Sequence, residues 1–302
     1  MVGGIAVMRL IRKLYQRFLC ILSIISPTLN SKVSYYVKWK KKLNLSNPST
    51  FKEKLIFLKL YVYNTDELVR KCADKWTVRQ FIKDCGYEKY LIPLLTVYDS
   101  ADQIDFSSLP DAFVLKWSFG AGYNIICNNK KKLNEDEARQ QLKKWGKVKY
   151  HLFNGEYQYR NTKRRIVAEK FIGEVNGKAP DDYKIYCFNG IPKTIFVMTG
   201  RGGKMSTIFM TPDWEYIGST DKYDAMDSNI EKPKVLSEMI EFAKGVSQYF
   251  PFVRVDVYVV NDRMYFGEMT FTPAGGIYCS EIDIEGKNMG DFLDIRKELG
   301  HV

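Results

Sequence analysis

FVRVDVYVVNDRMYFGEMTFTPAGG, residues 252–276, reads as two β-strands around an Asn261-Asp262 turn, followed by a Pro-Ala-Gly-Gly loop. On the first strand Arg254 and Asp256 share one face, while Val253, Val255, Val257 and Val259 line the other. An aspartate among valines is costly to bury unless its charge is compensated. Glu268 on the return strand raises the same question. Directly opposite each other, the two carboxylates would sit roughly 5 Å apart at Cβ and repel. A divalent cation between them removes the conflict, because Mg²⁺ prefers one or two carboxylates completed by phosphate oxygens. The competing reading is a hairpin with solvated acids. Register separates the two: a two-residue turn places Asp256 opposite Gly267 and sends Glu268 to the other face. A shared metal therefore predicts a loop with an odd number of residues, centred on Asp262.

The rest of the chemistry is constrained by composition. The 302 residues, 45 % hydrophobic and 14 % aromatic, suffice for one large core or two smaller ones. Six cysteines (20, 72, 85, 127, 187 and 279) are scattered without a C-x-x-C pair, which argues against a metal cluster or disulfide framework and suits a reducing cytoplasm. With only His151 and His301 present, histidine-based triads and His-rich zinc sites have little support. Catalysis has to run on carboxylates, lysines, arginines and a metal.

Charge is unevenly placed. Residues 1–60 hold twelve Lys/Arg and one acid, Glu53, so the whole formal excess of +11 lies there and the remainder is neutral. Residues 8–29 begin as a basic amphipathic helix and turn apolar from Phe18, but the run ends at Pro27, short of the ~20 residues needed to span a bilayer. Ser-Ile-Ile-Ser-Pro-Thr offers no A-x-A-like cleavage site. Two readings stand: a helix lying in a membrane interface through a Phe18-Leu19-Ile21-Leu22 face, and a helix packed on the domain. Tyr35–Lys42 interleaves aromatics with lysines, yet no nucleic-acid module follows, and nucleic acid is not expected as a partner.

Further along, Thr50 and Glu53 form a capping-box pattern opening a helix to about Tyr61. A second helix is predicted over 66–85 and contains Ala73-Asp-Lys-Trp-Thr-Val-Arg. Residues 91–98 form a short strand or loop. A strand over 112–117 carries Lys116, and the loop Ser118-Phe-Gly-Ala-Gly-Tyr-Asn returns into a strand at 125–127; its glycines, Gly120 and Gly122, let backbone N–H groups approach an anion. Residues 135–147 are helical and 165–172 a strand. Residues 181–198 are a hairpin on Asn189-Gly190. Asp182 and Lys184 share a face there, either neutralising each other or pointing into a site. Arg201-Gly-Gly-Lys is a basic loop, and 233–250 a helix.

The order of these pieces resembles the ATP-grasp superfamily, and more narrowly the TupA-like ATP-grasp proteins, named for teichuronopeptide biosynthesis. The resemblance rests on Asn47-Pro-Ser-Thr-Phe-Lys-Glu-Lys, Ala73-Asp-Lys-Trp-Thr-Val-Arg, Phe113-Val-Leu-Lys, Asp182-Tyr-Lys-Ile-Tyr-Cys-Phe-Asn-Gly, Arg254-Val-Asp-Val-Tyr and Phe266-Gly-Glu-Met-Thr-Phe-Thr-Pro, and covers roughly residues 30–290. It implies an α+β fold of two subdomains clamping ATP, preceded by a helical region. The expected division is a basic arm at 1–45, a helical region at 46–111, a glycine-loop subdomain at 112–172 and a metal-hairpin subdomain at 173–302. By that resemblance Lys75 and Lys116 contact ATP phosphates. Backbone groups at Lys170 and Ile172 read the adenine edge, with Glu169 beside them. Lys184, Arg201 and Arg254 act at the reacting groups, and Asp256 and Glu268 bind Mg²⁺. Two departures stand out. Thr270 occupies the place of a metal-binding asparagine, and Phe119 and Ala121 replace the histidine and small hydroxyl residue usual in the glycine loop.

The activity implied is ATP-dependent carboxylate–amine ligation through an acylphosphate. The partners implied are a polysaccharide or lipid-linked glycan acceptor, a small amine or amino-acid donor, and an anionic membrane surface met by residues 1–45 on the cytoplasmic face. Alternatives are a glycan phosphotransferase, a sugar-nucleotide glycosyltransferase and a non-catalytic ATP-binding protein.

Overall fold

Pro27 ends one helix and begins another. The computed structural model describes residues 2–173, 180–200, 204–220, 224–225 and 230–300, so Arg201 lies outside the described residues. Helix α1 (Val2–Ile25) stops before Ser26, which caps α2 (Pro27–Trp39) by accepting from Leu29 N, with Pro27 at the first helical position where its missing N–H costs nothing. Asn30 pins the two together: its Nδ2 donates to Leu19 O at 2.7 Å and Ser23 Oγ at 2.8 Å, and also to Phe153 O at 3.3 Å. Leu19 and Leu22 are therefore buried, which corrects their expected place on an outward face. The helix packs on the body, yet Val7, Ile11, Leu14, Phe18, Ile21 and Ile25 remain exposed.

The capping box forms at Thr50 and opens α3 (Phe51–Phe57), which runs on into a wider π turn at Leu58–Val62. The single helix expected over 66–85 is two, α4 (Glu67–Ala73) and α5 (Val78–Asp84). Asp74 breaks it: its Oδ1 accepts from the N–H groups of Trp76 and Thr77, both at 3.0 Å, and so competes with the helical ladder. That break turns Lys75 out of the helix and toward the loop after the next sheet's central strand.

The smaller sheet is wholly antiparallel, ordered β1-β4-β2-β3: β1 (Leu94–Tyr98), β2 (Phe113–Trp117), β3 (Asn124–Cys127) and β4 (Ile166–Lys170). Its first strand comes from the stretch assigned to the helical region. Helix α6 (Glu135–Gly146) covers one face, and Trp117 Nε1 donates to Leu142 O at 3.0 Å. A short α7 (His151–Asn154) follows and packs on α1.

The larger sheet contains β5 (Asp181–Phe188), β6 (Ile191–Thr199), β7 (Ser206–Met210), β8 (Tyr216–Gly218), the two-residue β9 (Asp224–Ala225), β10 (Phe252–Val260) and β11 (Arg263–Thr270). Its order is β11-β10-β5-β6-β7-β8, with β9 parallel to β7. Helix α8 (Leu236–Ser247) packs across β5, β6 and β10. Phe51 of α3 sits edge-on to Phe188 and Phe252, with centroids at 5.6 and 5.1 Å. This joins the N-terminal helices to the sheet's apolar core.

The β10–β11 hairpin corrects the expected turn while meeting the register requirement. Its loop has two residues, Asn261 and Asp262, both left-handed at φ 50° and 55°. Val260 pairs with Arg263 and Val257 with Phe266, but Asp256 pairs with Glu268. The extra residue is Gly267, a bulge in the strand. It restores both carboxylates to one face.

Candidate active site

A cleft of 510 Å³ separates the two sheets, lined by Lys75, Lys116, the glycine loop, Phe171, Tyr258, Gly267 and Glu268. Gly120 and Gly122 take left-handed backbone at φ 66° and 80°. A Cβ on Gly120 would lie 2.8 Å from the Tyr150 ring, so steric room as well as φ demands glycine there. Phe119, where a histidine is usual, turns inward: it is 1 % exposed and packs on Trp117 and Tyr123, with the Arg164 guanidinium 4.4 Å above its ring. It anchors the loop from behind and leaves the cleft wall to backbone.

Lys75 spans the cleft. Its backbone N–H donates to Ser118 O at 2.8 Å, and its Nζ donates to Gly120 O at 2.6 Å and lies 3.3 Å from Glu268 Oε2. Lys116, on β2, meets Glu169 Oε2 at 2.6 Å. The other oxygen of Glu169 accepts from Arg79 Nη1 at 3.0 Å. Arg79 escaped the sequence reading although it stands one helical turn after Lys75 in the same motif. The Lys170 N–H is committed to Pro93 O at 3.0 Å, so this residue offers a ligand its carbonyl but not its donor. Ile172 lies just past the strand end, half-buried, beside Phe171.

On the larger sheet, Arg254 grips Asp256 with two parallel hydrogen bonds, Nε to Oδ1 at 2.7 Å and Nη2 to Oδ2 at 2.6 Å. Lys184 donates to Asp256 Oδ2 at 2.7 Å and to Asp182 Oδ2 at 2.5 Å. Lys184 therefore neutralises Asp182, the first of the two sequence readings, and pairs with Asp256 as well. Arg254 Nη2 also donates to Thr270 Oγ1 at 3.1 Å and stands 3.8 Å from Glu268. Burial pushes the Glu268 carboxyl up, but Lys75, Arg254 and Lys184 outweigh it and hold it at about 2. It is ionised at any physiological pH.

The donor set fits Mg²⁺ unevenly. Glu268 faces the cleft with its side chain 30 % exposed, whereas Asp256 is 1 % exposed with both oxygens engaged by cations. Among the described residues no three His, Cys, Asp or Glu side chains converge as a metal cluster. A cation held by Glu268 has to complete its shell with phosphate oxygens and water, as Mg²⁺ commonly does. Asp256 reaches it only by releasing Lys184 or Arg254. For a nucleotide the fit is direct: left-handed glycines and two lysines suit phosphates, and Phe171 and Tyr258 supply flat apolar cover for a base.

Two antiparallel sheets facing each other across such a cleft, with a glycine loop on one side and a carboxylate hairpin on the other, are the ATP-grasp arrangement. The family model for TupA-like ATP-grasp proteins matches residues 53–293, and the chain belongs to that family. No curated protein sequence matches the chain. It is similar to D-alanine–D-alanine ligase from Bacillus anthracis, solved with ATP, at 16 % identity and TM-score 0.39, over 67 % of this chain and 55 % of that one. It is also similar to an L-amino acid ligase from Bacillus licheniformis, at 14 % identity and TM-score 0.42, over 69 % and 45 %. The ATP-grasp ligase PsnB, solved with a precursor variant, Mg and ADP, aligns at 11 % identity and TM-score 0.39, over 70 % and 53 %. The chain therefore spans about half the length of these solved proteins.

Proposed function

We propose that the protein is an ATP- and Mg²⁺-dependent carboxylate–amine ligase that modifies a cell-surface or capsular polysaccharide, or its lipid-linked precursor. The observation that carries this reading is a continuous charge array: Lys75 bound to Glu268 in the cleft beside the glycine loop, and next to Glu268 the Arg254–Asp256–Lys184 set. Phosphoryl transfer needs positioning and charge neutralisation more than a general base. Lys75 and Lys116 hold the phosphates against the loop backbone, and Glu268 would hold Mg²⁺, which would supply charge neutralisation for phosphoryl transfer. Arg254 and Lys184, kept in place by Asp256 and Asp182, orient a substrate carboxylate for attack on the γ-phosphorus. That step yields an acylphosphate and ADP; an amine then displaces phosphate and leaves an amide. Arg201 belongs to the same proposal as a further cation at the reacting groups.

The location belongs to the proposal too. No helix among the described residues is long and apolar enough to cross a membrane. The outward residues of α1 repeat at intervals of four and three, and exposed Lys13 and Arg17 lie to one side of them. This supports a helix resting in the interface of the anionic cytoplasmic leaflet, beside lipid-linked glycans. Incubation of the protein with ATP, Mg²⁺, a panel of uronic acids and amino acids, read by mass spectrometry, tests the chemistry. ADP, phosphate and an amide are expected. A phosphorylated glycan would show a phosphotransferase, and ATP binding without turnover a non-catalytic protein.

A further inference from the structure

Both lysines lining the cleft are tied to a carboxylate, and each carboxylate is also met by an arginine. Lys75 Nζ lies 3.3 Å from Glu268 Oε2, and Arg254 Nη2 stands 3.8 Å from Glu268 Oε1. Lys116 Nζ lies 2.6 Å from Glu169 Oε2, and Arg79 Nη1 donates to Glu169 Oε1 at 3.0 Å. Arg254 is already committed to Asp256 through its fork. Arg79 has no second carboxylate among the described residues; its Nη2 donates instead to Ile92 O at 3.0 Å.

The sheet register brings Lys116 and Glu169 together. On neighbouring strands β2 and β4, Lys116 lies opposite Val167 and Val114 opposite Glu169, so the two side chains leave one face as diagonal neighbours. Arg79 reaches that face from the second residue of α5. The side chains of Arg79, Glu169 and Lys116 are 12 %, 5 % and 14 % exposed. Of the three, Lys116 alone lines the cleft.

A carboxylate this far from water needs its charge matched, and stripping it of its only partner is costly. With Lys116 as sole partner, Glu169 would grip that lysine and be stranded whenever the ammonium turned to a phosphate. Arg79 resolves the conflict. It stays on Oε1 while Oε2 gives up Lys116, and a guanidinium does not shed its proton at any physiological pH.

We infer that Arg79 is a positioning residue for the nucleotide: it keeps Glu169 compensated and so frees Lys116 to move from that carboxylate to a phosphate of ATP. Arg79 acts through Glu169 and touches no ligand itself. This role rests on the reading of Lys116 as a phosphate ligand; the linkage among the three residues does not.

Two measurements keep these apart. The first reads Lys116 without nucleotide: the full chain is treated with N-hydroxysuccinimidyl acetate, and acetylation at Lys116 is followed by peptide mass spectrometry. Arg79→Gln leaves Glu169 to Lys116 alone and should slow labelling about threefold, whereas Glu169→Gln should speed it. The second reads ATP affinity by calorimetry. Arg79→Gln should weaken it about tenfold, and Arg79→Lys, which keeps the charge, should recover most of the loss. In a Glu169→Gln background Arg79→Gln should cost nothing further. An arginine that merely props the entry to β1 through Ile92 O would cost the same with or without the carboxylate, and that result overturns the role. Unchanged labelling of Lys116 in Arg79→Gln overturns it too. Where Arg79→Gln does not fold, Arg79→His serves instead. Relative to wild type it should lose ATP affinity as pH rises from about 5.5 to 8 and the imidazole sheds its charge; a constant ratio overturns the role. The expected labelling shifts, beside an ATP affinity unmoved by Lys116→Ala, would overturn the phosphate reading of Lys116 and leave its control by Arg79 and Glu169 standing.

Discussion

The Lys184 ammonium lies 2.7 Å from Asp256 Oδ2, at a site where the aspartate is 1 % exposed. Asp256 is therefore not a carboxylate waiting for a metal to relieve repulsion. Its charge is already matched by Lys184 on one side and the Arg254 fork on the other. The aspartate first fixes two cations, Lys184 and Arg254, on the larger sheet.

Asp256→Asn should consequently damage the fold as well as the chemistry. Removing one member of a buried charge set strands the others, at a typical cost of about 3 kcal/mol. Asp182 still serves Lys184 and softens the loss. We expect a lower urea midpoint and ATP consumption reduced by more than a hundredfold. A variant as stable as wild type would show that Asp256 compensates nothing.

Gly267→Ala tests the bulge. An added Cβ would meet Asp256 O at 3.0 Å and the Tyr258 ring at 3.1 Å. The ring can give way, but the main-chain oxygen is tied into the strand pair. Overpacking of this kind costs about 1–3 kcal/mol, and it falls on the residue that sets the Asp256–Glu268 register. Calorimetry should show ATP affinity down at least tenfold with the thermal midpoint lowered. Unchanged affinity would mean the bulge is incidental to the site.

Much of this site could be read from the sequence, because its residues sit in short, ordered motifs. Lys75 and Lys116 occupy the expected pieces and line one cleft, with Glu169 paired to Lys116. The register could not be read: an odd pairing needs one extra residue, and nothing local says whether it lies in the turn or at Gly267. Nor could the break at Asp74, since the same side chain can face solvent on a helix or cap a new one. The Arg79–Glu169 contact was out of reach for another reason. Its partners are 90 residues apart and share no periodicity.

Glu268 gives a pH prediction with a definite sign. Its folded value, about 2, lies below the ordinary 4.5, so the unfolded chain binds the proton first as pH falls. The stabilisation is fully present above about pH 4.5 and drains away as pH falls toward 2. The difference in melting temperature between wild type and Glu268→Gln should stay constant above about pH 5 and shrink below it. A difference that instead shrinks between pH 6 and 8 would contradict the ion pairing with Lys75.

The last prediction concerns the two faces of α1. Deleting residues 1–30 is a poor test of membrane attachment, because it removes Asn30 and the buried Leu19 and Leu22 along with the outward stripe. The expected face, Phe18-Leu19-Ile21-Leu22, mixed the two sides: Phe18 and Ile21 point outward, Leu19 and Leu22 inward. In the folded chain Leu14 and Phe18 are 54 % and 47 % exposed. Replacing both with glutamate leaves the buried Leu19, Leu22 and Asn30 in place, and surface changes of this kind usually stay within about 0.5 kcal/mol. The two new charges would have to leave water to enter the interface, while the nearby lysines and arginines each contribute on the order of 1 kcal/mol at an anionic surface. Leu14→Glu/Phe18→Glu should therefore keep the melting temperature and ATP affinity and lose salt-sensitive flotation with phosphatidylglycerol vesicles. If the double variant floats as well as wild type, α1 does not dock on the membrane through this stripe.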